Sequence, residues 1–556
     1  MDWVLGLGGS DHDFSAAVMR GGDIRVAVES ERVTRIKYGH TRFNQDPLRR
    51  CVQHVIDAAN APEARIARVV SSDLLPTNSV ATWDVHTYRH HLCHAASAVM
   101  LLPPTARACV LVYDGNGTLT PTGDGRALLQ GEQLAAETFS FFDYADGELH
   151  LIGQTCGLAR VERCFEGATN SLGNLYEIVT DVLGFAAIET GKTMGLAGWG
   201  TPTFLDDLLA AVTLGDTLDT VFTFDTFDQN FRELLVERLR QERFSFKARA
   251  DLAASVQEIM NRVLLHCYTL IAGREFDTFC VAGGCALNTV ANGLLAAKLP
   301  PERTLVVPPA AGDSGIALGS LWLDRRERTH GPFELTLRGA SVQPSIARPG
   351  RTYATEELTN AIRTDPDGLI QDPTVHGAAG LAHVLAEGSV IGFFHGSSEI
   401  GPRALGGRSI LADPRRAVTK ERINREIKLR EPFRPLAPIV LAEHYGEYFE
   451  PAAAANPYML VVATANARCR QSAPAIVHVD GTARVQVIDS DGDPFLISLL
   501  SEFHSLTGLP MLVNTSFNCR GEPIVETPDD AITACVSLGL DGLWLQDRYL
   551  TPPLPQ

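Results

Sequence analysis

His90-His91-Leu92-Cys93-His94, with Ala108-Cys-Val-Leu-Val-Tyr-Asp-Gly-Asn-Gly117 a short way downstream, is the stretch whose reading decides the fold. His90 and His94 are four positions apart, so on a helix they share one face, about one turn apart. Two imidazoles so placed can hold one metal ion, the logic of the H-E-x-x-H helix, although no Glu follows the first histidine here. The apolar run from Ala108 closes in a D-G-x-G turn and reads as a buried strand that delivers Asp114 at its C-terminal end. Taken alone, H-x-x-x-H is more often an amphipathic helix with two ordinary histidines. Asp114 and the glycine-rich segments further along turn the reading towards a metal centre.

The chain has 556 residues, 45% apolar and 21% charged, enough for large cores and for two to four domains. A net charge of −18 and a pI near 5.4 favour solubility and speak against a nucleic-acid partner. The eleven cysteines are scattered without a C-x-x-C pair, which suits reduced cytosolic thiols and not a disulfide framework. The start, Met1-Asp-Trp-Val-Leu-Gly-Leu-Gly-Gly, lacks a basic region and its apolar run is short for a signal peptide. No apolar stretch reaches the length of a membrane span. A soluble cytoplasmic protein is expected.

The first thirty residues alternate apolar strands with glycine turns: Trp3–Leu7 into Gly8-Gly9-Ser10, Phe14–Met19 into Gly21-Gly22-Asp23, then Ile24–Val28. That pattern predicts a meander of two hairpins. Ser10, Asp11, His12 and Asp13 sit at the first turn, where free backbone N–H groups and a histidine can seat a phosphate. The mixed-charge stretch Glu29–Gly39, with Arg32, Arg35 and Lys37, reads as a solvated face. A helix is expected over 45–60, and the clearest one over 251–274. Gly191-Lys-Thr is not a P-loop, because the preceding glycine, Gly184, is badly spaced. Phe279–Asn288 reads as a strand, a Gly283-Gly284 turn and the start of a helix running to Lys298, a geometry that lets a flat ring or phosphate approach. Asp313 precedes a small-residue helix that it could cap. The proline-rich 331–376 segment reads as a linker or peripheral segment, with a domain boundary near 345. Beyond it an α/β region carries four dense polar segments, around His395–Ser409, Asn424–Pro438, Asp480–Arg484 and Pro510–Pro523.

The glycine hairpin, the D-G-x-G turn and the Gly-Gly helix start together resemble the duplicated α/β fold of the actin, Hsp70 and sugar-kinase (ASKHA) superfamily. With the four C-terminal segments, nearly the whole chain resembles the O-carbamoyltransferase family of NodU/CmcH type. The resemblance implies a TsaD-like, actin-like domain over 1–345 and a YrdC-like domain over 346–556. It places the metal ligands, usually for iron, on His90, His94, Asp114 and Asp313, beside a pocket for ATP or carbamoyl-adenylate. The K-x-R and S-x-N hallmarks of YrdC-like domains match Lys428-Leu-Arg430 and Ser516-Phe-Asn518. The carbamoyl phosphate site implied is Arg403, Lys428, Arg434, Arg484 and Ser516; the nucleotide site is His12, Lys37, Gly283, Gly284 and Asn288. Phe14, where the family has a small residue, and Cys285, where it has an aliphatic one, depart from the pattern.

Carbamoyl phosphate is a small dianion, and arginine forks with a lysine point charge make a natural cage for it. The resemblance implies cleavage of carbamoyl phosphate to carbamate, formation of carbamoyl-adenylate from ATP bound as its magnesium complex, and carbamoyl transfer to an acceptor hydroxyl. A His/His/Asp/Asp set suits Fe(II), Mn or Zn, and His12 is the candidate for helping to deprotonate the acceptor. The expected acceptor is a hydroxylated secondary metabolite such as an antibiotic. Three rivals are weaker. A tRNA threonylcarbamoyl enzyme lacks its basic stripe. A hydrogenase-maturation carbamoyltransferase lacks its paired C-x-x-C motifs. A sugar kinase leaves the histidine pair and the K-x-R/S-x-N set without a task.

Overall fold

The computed structural model describes residues 2–10, 12–38, 46–75, 83–121, 134–161, 165–329, 331–342, 346–365 and 368–553. Asp11, Pro344, Pro366 and the expected boundary at 345 lie outside the described residues. The chain forms two compact units, one of residues 1–70, 76–86 and 335–556, the other of 71–75 and 87–334.

An N-terminal sheet is built from β1 (Trp3–Gly8), β2 (Ser15–Arg20), β3 (Asp23–Glu29), β4 (Ile66–Ser72) and β5 (Val85–Tyr88). Its order is β3-β2-β1-β4-β5, with 336–337 and 340–341 added beyond β3. β1 to β3 form the expected antiparallel meander, and β4 pairs parallel with β1. Phe14 is buried in the core and its Cα would lie 2.9 Å from a Cβ on Gly9, so the bulk at this departure points away from solvent.

The second unit carries β6 (Ala108–Tyr113), β7 (Leu119–Pro121), β8 (Leu134–Ala145), β9 (Glu148–Val161) and β10 (Phe165–Ala168). A small hairpin, β11 (Val212–Leu214) and β12 (Phe222–Phe224), precedes β13 (Thr278–Ala282) and β14 (Thr304–Val306). The main sheet runs β10-β9-β8-β6-β13-β14. β6 is antiparallel to β8 and parallel to β13, and β13 is parallel to β14. Each of the two sheets thus joins an antiparallel meander, through one strand, to parallel partners. This repeat is the duplicated α/β plan expected of an actin-like chain. β1 and β6, the joining strands, are buried along their whole length, as strands covered on both faces must be.

The C-terminal part adds an eight-stranded mixed sheet, in the order 370–371, 548–551, 542–545, 391–394, 408–412, 511–516, 437–441, 486–488. Two expectations need correction or refinement. The 331–376 segment is no plain linker: Thr336-Leu337 pairs parallel with β3, a helix spans Thr355–Thr364, and Leu335, Leu337, Ile346 and Leu358 are buried. Short strands of two residues carry no periodicity to read. Glu29–Lys37 is no solvated face either, since Arg32 is 1% exposed. By contact, residues 1–70 group with residues 335–556. Gly191-Lys-Thr lies in an ordinary helix, Thr190–Ala197, in keeping with its rejection as a P-loop. No helix among the described residues is long and apolar enough to cross a membrane.

The helix His90–Val99 packs against the helix Ile316–Glu327. The contact is backbone-close: a Cβ on Gly319 would lie 2.0 Å from the Cys93 carbonyl oxygen. Alanine at a helical position gains about 1 kcal/mol over glycine, but forcing two packed helices apart costs about 1–3 kcal/mol. Gly319→Ala is therefore expected to be neutral at best and Gly319→Val clearly destabilising, read as a lowered denaturant midpoint. Wild-type midpoints for both would show that the helices part without cost.

Candidate active site

In the second unit Asp114 directly follows β6, the helix after β5 brings in His90 and His94, and a tight turn before the Ile316 helix brings in Asp313. One ligand atom from each of these four lies within 4.8 Å of all the others. His94 Nε2 is 3.1 Å from His90 Nε2, 3.0 Å from Asp114 Oδ2 and 3.4 Å from Asp313 Oδ1. His90 Nε2 is 3.3 Å from Asp313 Oδ1. Donors about 2.1 Å from one ion stand roughly 3.0–3.4 Å apart in octahedral or tetrahedral coordination. Four of the separations lie in that range and His90 Nε2 to Asp114 Oδ2, at 3.9 Å, is longer, so a small inward shift lets the four close on a single cation. The alternative for Asp313, a side-chain helix cap, does not occur.

Electrostatics point the same way. Burial works against a charged His94 ring, yet Asp114 and Asp313 raise it to about 9. Burial also opposes a charged Asp313, and His90 and His94 nonetheless hold it well below the usual carboxylate range. The cluster demands positive charge, which a proton or a divalent cation can supply.

The shell around the donors is built from residues that no local motif announces. Ser72, at the end of β4, stands with Oγ 3.3 Å from His90 Nδ1, fixing which nitrogen faces the cluster. The first N–H groups of the histidine helix have no intrahelical partners. Thr118 Oγ1 accepts the first, from His90 at 2.8 Å, and donates to Asp73 at 3.0 Å. Glu137 accepts from His91 N at 3.3 Å and Thr118 N at 3.0 Å. Despite its burial, His91 and Arg89 hold Glu137 down at about 2, so it is an anion at the positive end of that helix.

Gly283 and Gly284 have a closer task than the expected one. Gly283 has φ +92°, and a Cβ there would lie 2.4 Å from the Tyr113 carbonyl oxygen. A Cβ on Gly284 would lie 3.0 Å from Asp114 Oδ1. Glycine is needed at Gly283 so that this turn can abut the end of β6, and at Gly284 a side chain would crowd the Asp114 carboxylate. Asn288 caps the helix Thr289–Lys298 through Ala291 N and exchanges two 3.0 Å bonds with the Gln257 amide. Those three residues lie in the second unit, whereas His12 and Lys37 belong to the first. His12 Nδ1 is 3.1 Å from Asp13 Oδ2.

In the first unit the two hallmark segments meet. Lys428 Nζ donates to Ser516 O (2.7 Å), Asn518 O (3.0 Å) and Asn518 Oδ1 (2.6 Å), and lies 3.3 Å from Ser516 Oγ. Lys428 follows a π-helical turn, Arg422–Ile427, and precedes Leu429 at φ +44°, a local irregularity of the kind that gathers at functional sites. Asn424, unassigned by its sequence, locks this turn: Oδ1 accepts from Arg430 Nε at 2.7 Å and Nδ2 donates to the Arg434 carbonyl at 2.9 Å.

Arg403, Lys428, Arg430, Arg434 and Arg484 form one electrostatic group. Burial first, then Arg434 and Arg484, pull Arg430 to about 9. Burial and Arg434 pull Arg484 to about 10. Burial, Arg484 and Arg434 lower Arg403, and burial, Arg430, Arg434 and Lys37 lower Lys428. Among the described residues Arg403, Lys428, Arg430 and Arg484 make no ion pair with a carboxylate, while Arg434 Nη1 lies 3.9 Å from Glu431. The enclosed Nε atoms of Arg403 and Arg484 have no hydrogen-bond partner. Buried cations without counter-charge describe a seat for an anion.

Residues 52–321 match the family described as Carbamoyltransferase N-terminus, and residues 382–551 that described as Carbamoyltransferase C-terminus. An uncharacterized protein of Synechocystis is 31% identical, over 99% of this chain and 97% of its own. Nodulation protein NolNO of Sinorhizobium fredii is 31% identical, over 96% of this chain and 78% of its own. The 3'-hydroxymethylcephem-O-carbamoyltransferase of Amycolatopsis lactamdurans is 36% identical, over 50% of this chain and 52% of its own. The chain belongs to the carbamoyltransferase family, of the NodU/CmcH type its motifs resemble, and is a carbamoyl-transferring enzyme.

Proposed function

We propose that this carbamoyltransferase uses carbamoyl phosphate and ATP, with a divalent metal, to carbamoylate a hydroxyl of a small secondary metabolite such as an antibiotic. The observation that carries the reading is the group of five cations around Lys428, with two enclosed arginine Nε atoms lacking partners. A dianionic acyl phosphate, such as carbamoyl phosphate, is the ligand such a group fits best. On this reading the C-terminal part, 346–556, is YrdC-like and the preceding part, 1–345, is TsaD-like.

In the first reaction water cleaves carbamoyl phosphate, the bond to phosphate breaks, and carbamate and phosphate result. Arg403, Arg434 and Arg484 hold the phosphate oxygens, and Lys428 adds charge where the leaving phosphate gains it. A carbamate oxygen then attacks the α-phosphorus of ATP, bound as its magnesium complex, and pyrophosphate leaves. In the last reaction the acceptor oxygen attacks the carbamoyl carbon of the adenylate and AMP leaves, with the hydroxyl proton passing to a base. His12, paired with Asp13, is the candidate base. His90, His94, Asp114 and Asp313 would hold Fe(II), with Mn or Zn compatible with the same donors. A cation there supplies Lewis-acid charge to phosphate or carbamoyl oxygens. The ten described cysteines are free thiols, which supports a cytoplasmic setting.

The test is nucleotide product analysis with ATP and carbamoyl phosphate but no acceptor. Pyrophosphate with carbamoyl-adenylate or AMP is expected, and Lys428→Ala should cut its release by at least about a hundredfold, given several charge-assisted bonds lost. His90→Ala should also abolish turnover. ADP as the product, or turnover indifferent to carbamoyl phosphate, would sink the reading.

A further inference from the structure

The stretch Glu29–Arg35 does more than its charge pattern suggests. Arg32 is enclosed, with Nε donating to Glu29 Oε2 at 2.8 Å and Nη2 to the Gly401 carbonyl at 2.8 Å. Its Nη1 lies 3.7 Å from Glu399 Oε2. Glu399 Oε1 in turn accepts from Leu405 N, Gly407 N and Arg408 N, at 2.7, 2.7 and 3.0 Å. One carboxylate therefore gathers the loop 399–408 around itself, and Arg32 grips that loop both at the carboxylate and two residues before Arg403. Arg35 acts on the other wall. Its Nη1 donates to the Ile524 carbonyl at 2.6 Å and its Nη2 to the Pro523 carbonyl at 2.9 Å. The preceding carbonyl, of Glu522, accepts from Asn518 Nδ2 at 2.7 Å, and the same amide's oxygen receives Lys428 Nζ.

Two arginines from one short segment thus clasp the two loops that carry Arg403 and Ser516–Asn518. A solvated face has no reason to enclose a guanidinium. An enclosed charge is costly unless its partners are fixed, and the partners here are the loops of the cation group. We infer that Arg32 and Arg35 are positioning residues for the carbamoyl phosphate seat, so that the seat is incomplete without the N-terminal segment. The inference rests on the reading of that seat given above. Arg35 orders the 522–524 carbonyls so that Asn518 presents its oxygen to Lys428. Arg32 holds the loop that carries Arg403 through Glu399 and the Gly401 carbonyl. Neither touches the reacting atoms.

Arg35 is the better probe, because it is partly exposed and its loss leaves no buried carboxylate unpaired. In the full-length protein Arg35→Ala is expected to raise KM for carbamoyl phosphate by roughly tenfold or more, with a much smaller fall in kcat. Arg35→Lys, which keeps the charge but cannot fork two carbonyls, should fall between wild type and Arg35→Ala. KM for ATP and the bound-metal content should stay at wild-type values. Arg32→Lys provides the second variant and should show the same split. An unchanged KM for carbamoyl phosphate in folded Arg35→Ala, or equal effects on all substrates, would overturn the inference. Failure of the underlying reading looks different: wild-type turnover would then not depend on carbamoyl phosphate at all.

Discussion

His94→Ala is expected to leave the protein unable to retain a divalent ion and to slow carbamoyl transfer by more than about a hundredfold, beyond the 10–100-fold typical of lost outer-shell partners. The reason is its position. His94 Nε2 lies within 3.4 Å of a donor atom on each of the other three residues, so its loss opens the centre and not the rim. Two enclosed carboxylates would then face only His90, and their repulsion would favour protonation over metal binding. Ser72→Ala should act more gently, by about 10–100-fold in metal affinity, because it removes only the contact that orients the His90 ring. The measurements are metal content after dialysis and turnover before and after chelation and refilling. One equivalent of metal retained by His94→Ala, or a larger loss in Ser72→Ala than in His94→Ala, would contradict the assignment of this centre.

How much of this could be read beforehand depended on how local the signal was. The histidine helix and the Asp114 strand were legible because helical spacing and an apolar run are properties of a few consecutive residues. The two-hairpin start was legible for the same reason. Asp313 was open to a capping role on its own sequence, and only the fold, which brings it opposite a helix more than two hundred residues earlier, decides against the cap. Lys428 and Ser516–Asn518 were tied together by resemblance; the four close contacts at Nζ give the physical tie. Ser72, Glu137 and Asn424 were missed because a single polar residue at a strand end or inside a turn has no periodicity. Arg32 was misread because mixed-charge stretches are usually solvated, and its partners, Glu399 and Gly401, come from a distant loop. The segment 331–376 was misread because proline density marks linkers on average, whereas pairing of Thr336-Leu337 with β3 is a tertiary fact.

Arg484→Met should separate stability from function in the first unit. In the folded protein Arg484 is pulled to about 10, first by burial and then by Arg434, and its Nε is enclosed without a partner. The unfolded chain carries no such burden, so the charged side chain weakens the fold in the absence of an anion. Methionine keeps much of the stem's packing and removes the charge, so the thermal midpoint should hold or rise. A folded-state value below the ordinary arginine range means the charged form is disfavoured on folding. The variant's advantage is therefore full below about pH 10 and fades as the pH rises towards the ordinary arginine value. Binding should change in the opposite direction. A charge-assisted hydrogen bond is worth about 1.5–3 kcal/mol, so carbamoyl phosphate should bind roughly 10–150-fold more weakly. Wild type at a hundred times its Kd should gain about 2.7 kcal/mol from the ligand, and the variant at the same concentration far less. Calorimetric titration with carbamoyl phosphate and thermal melts with and without inorganic phosphate measure both effects. A variant that loses stability yet keeps its affinity would make Arg484 a structural residue, and the cation group would then lose its claim to be a phosphate seat.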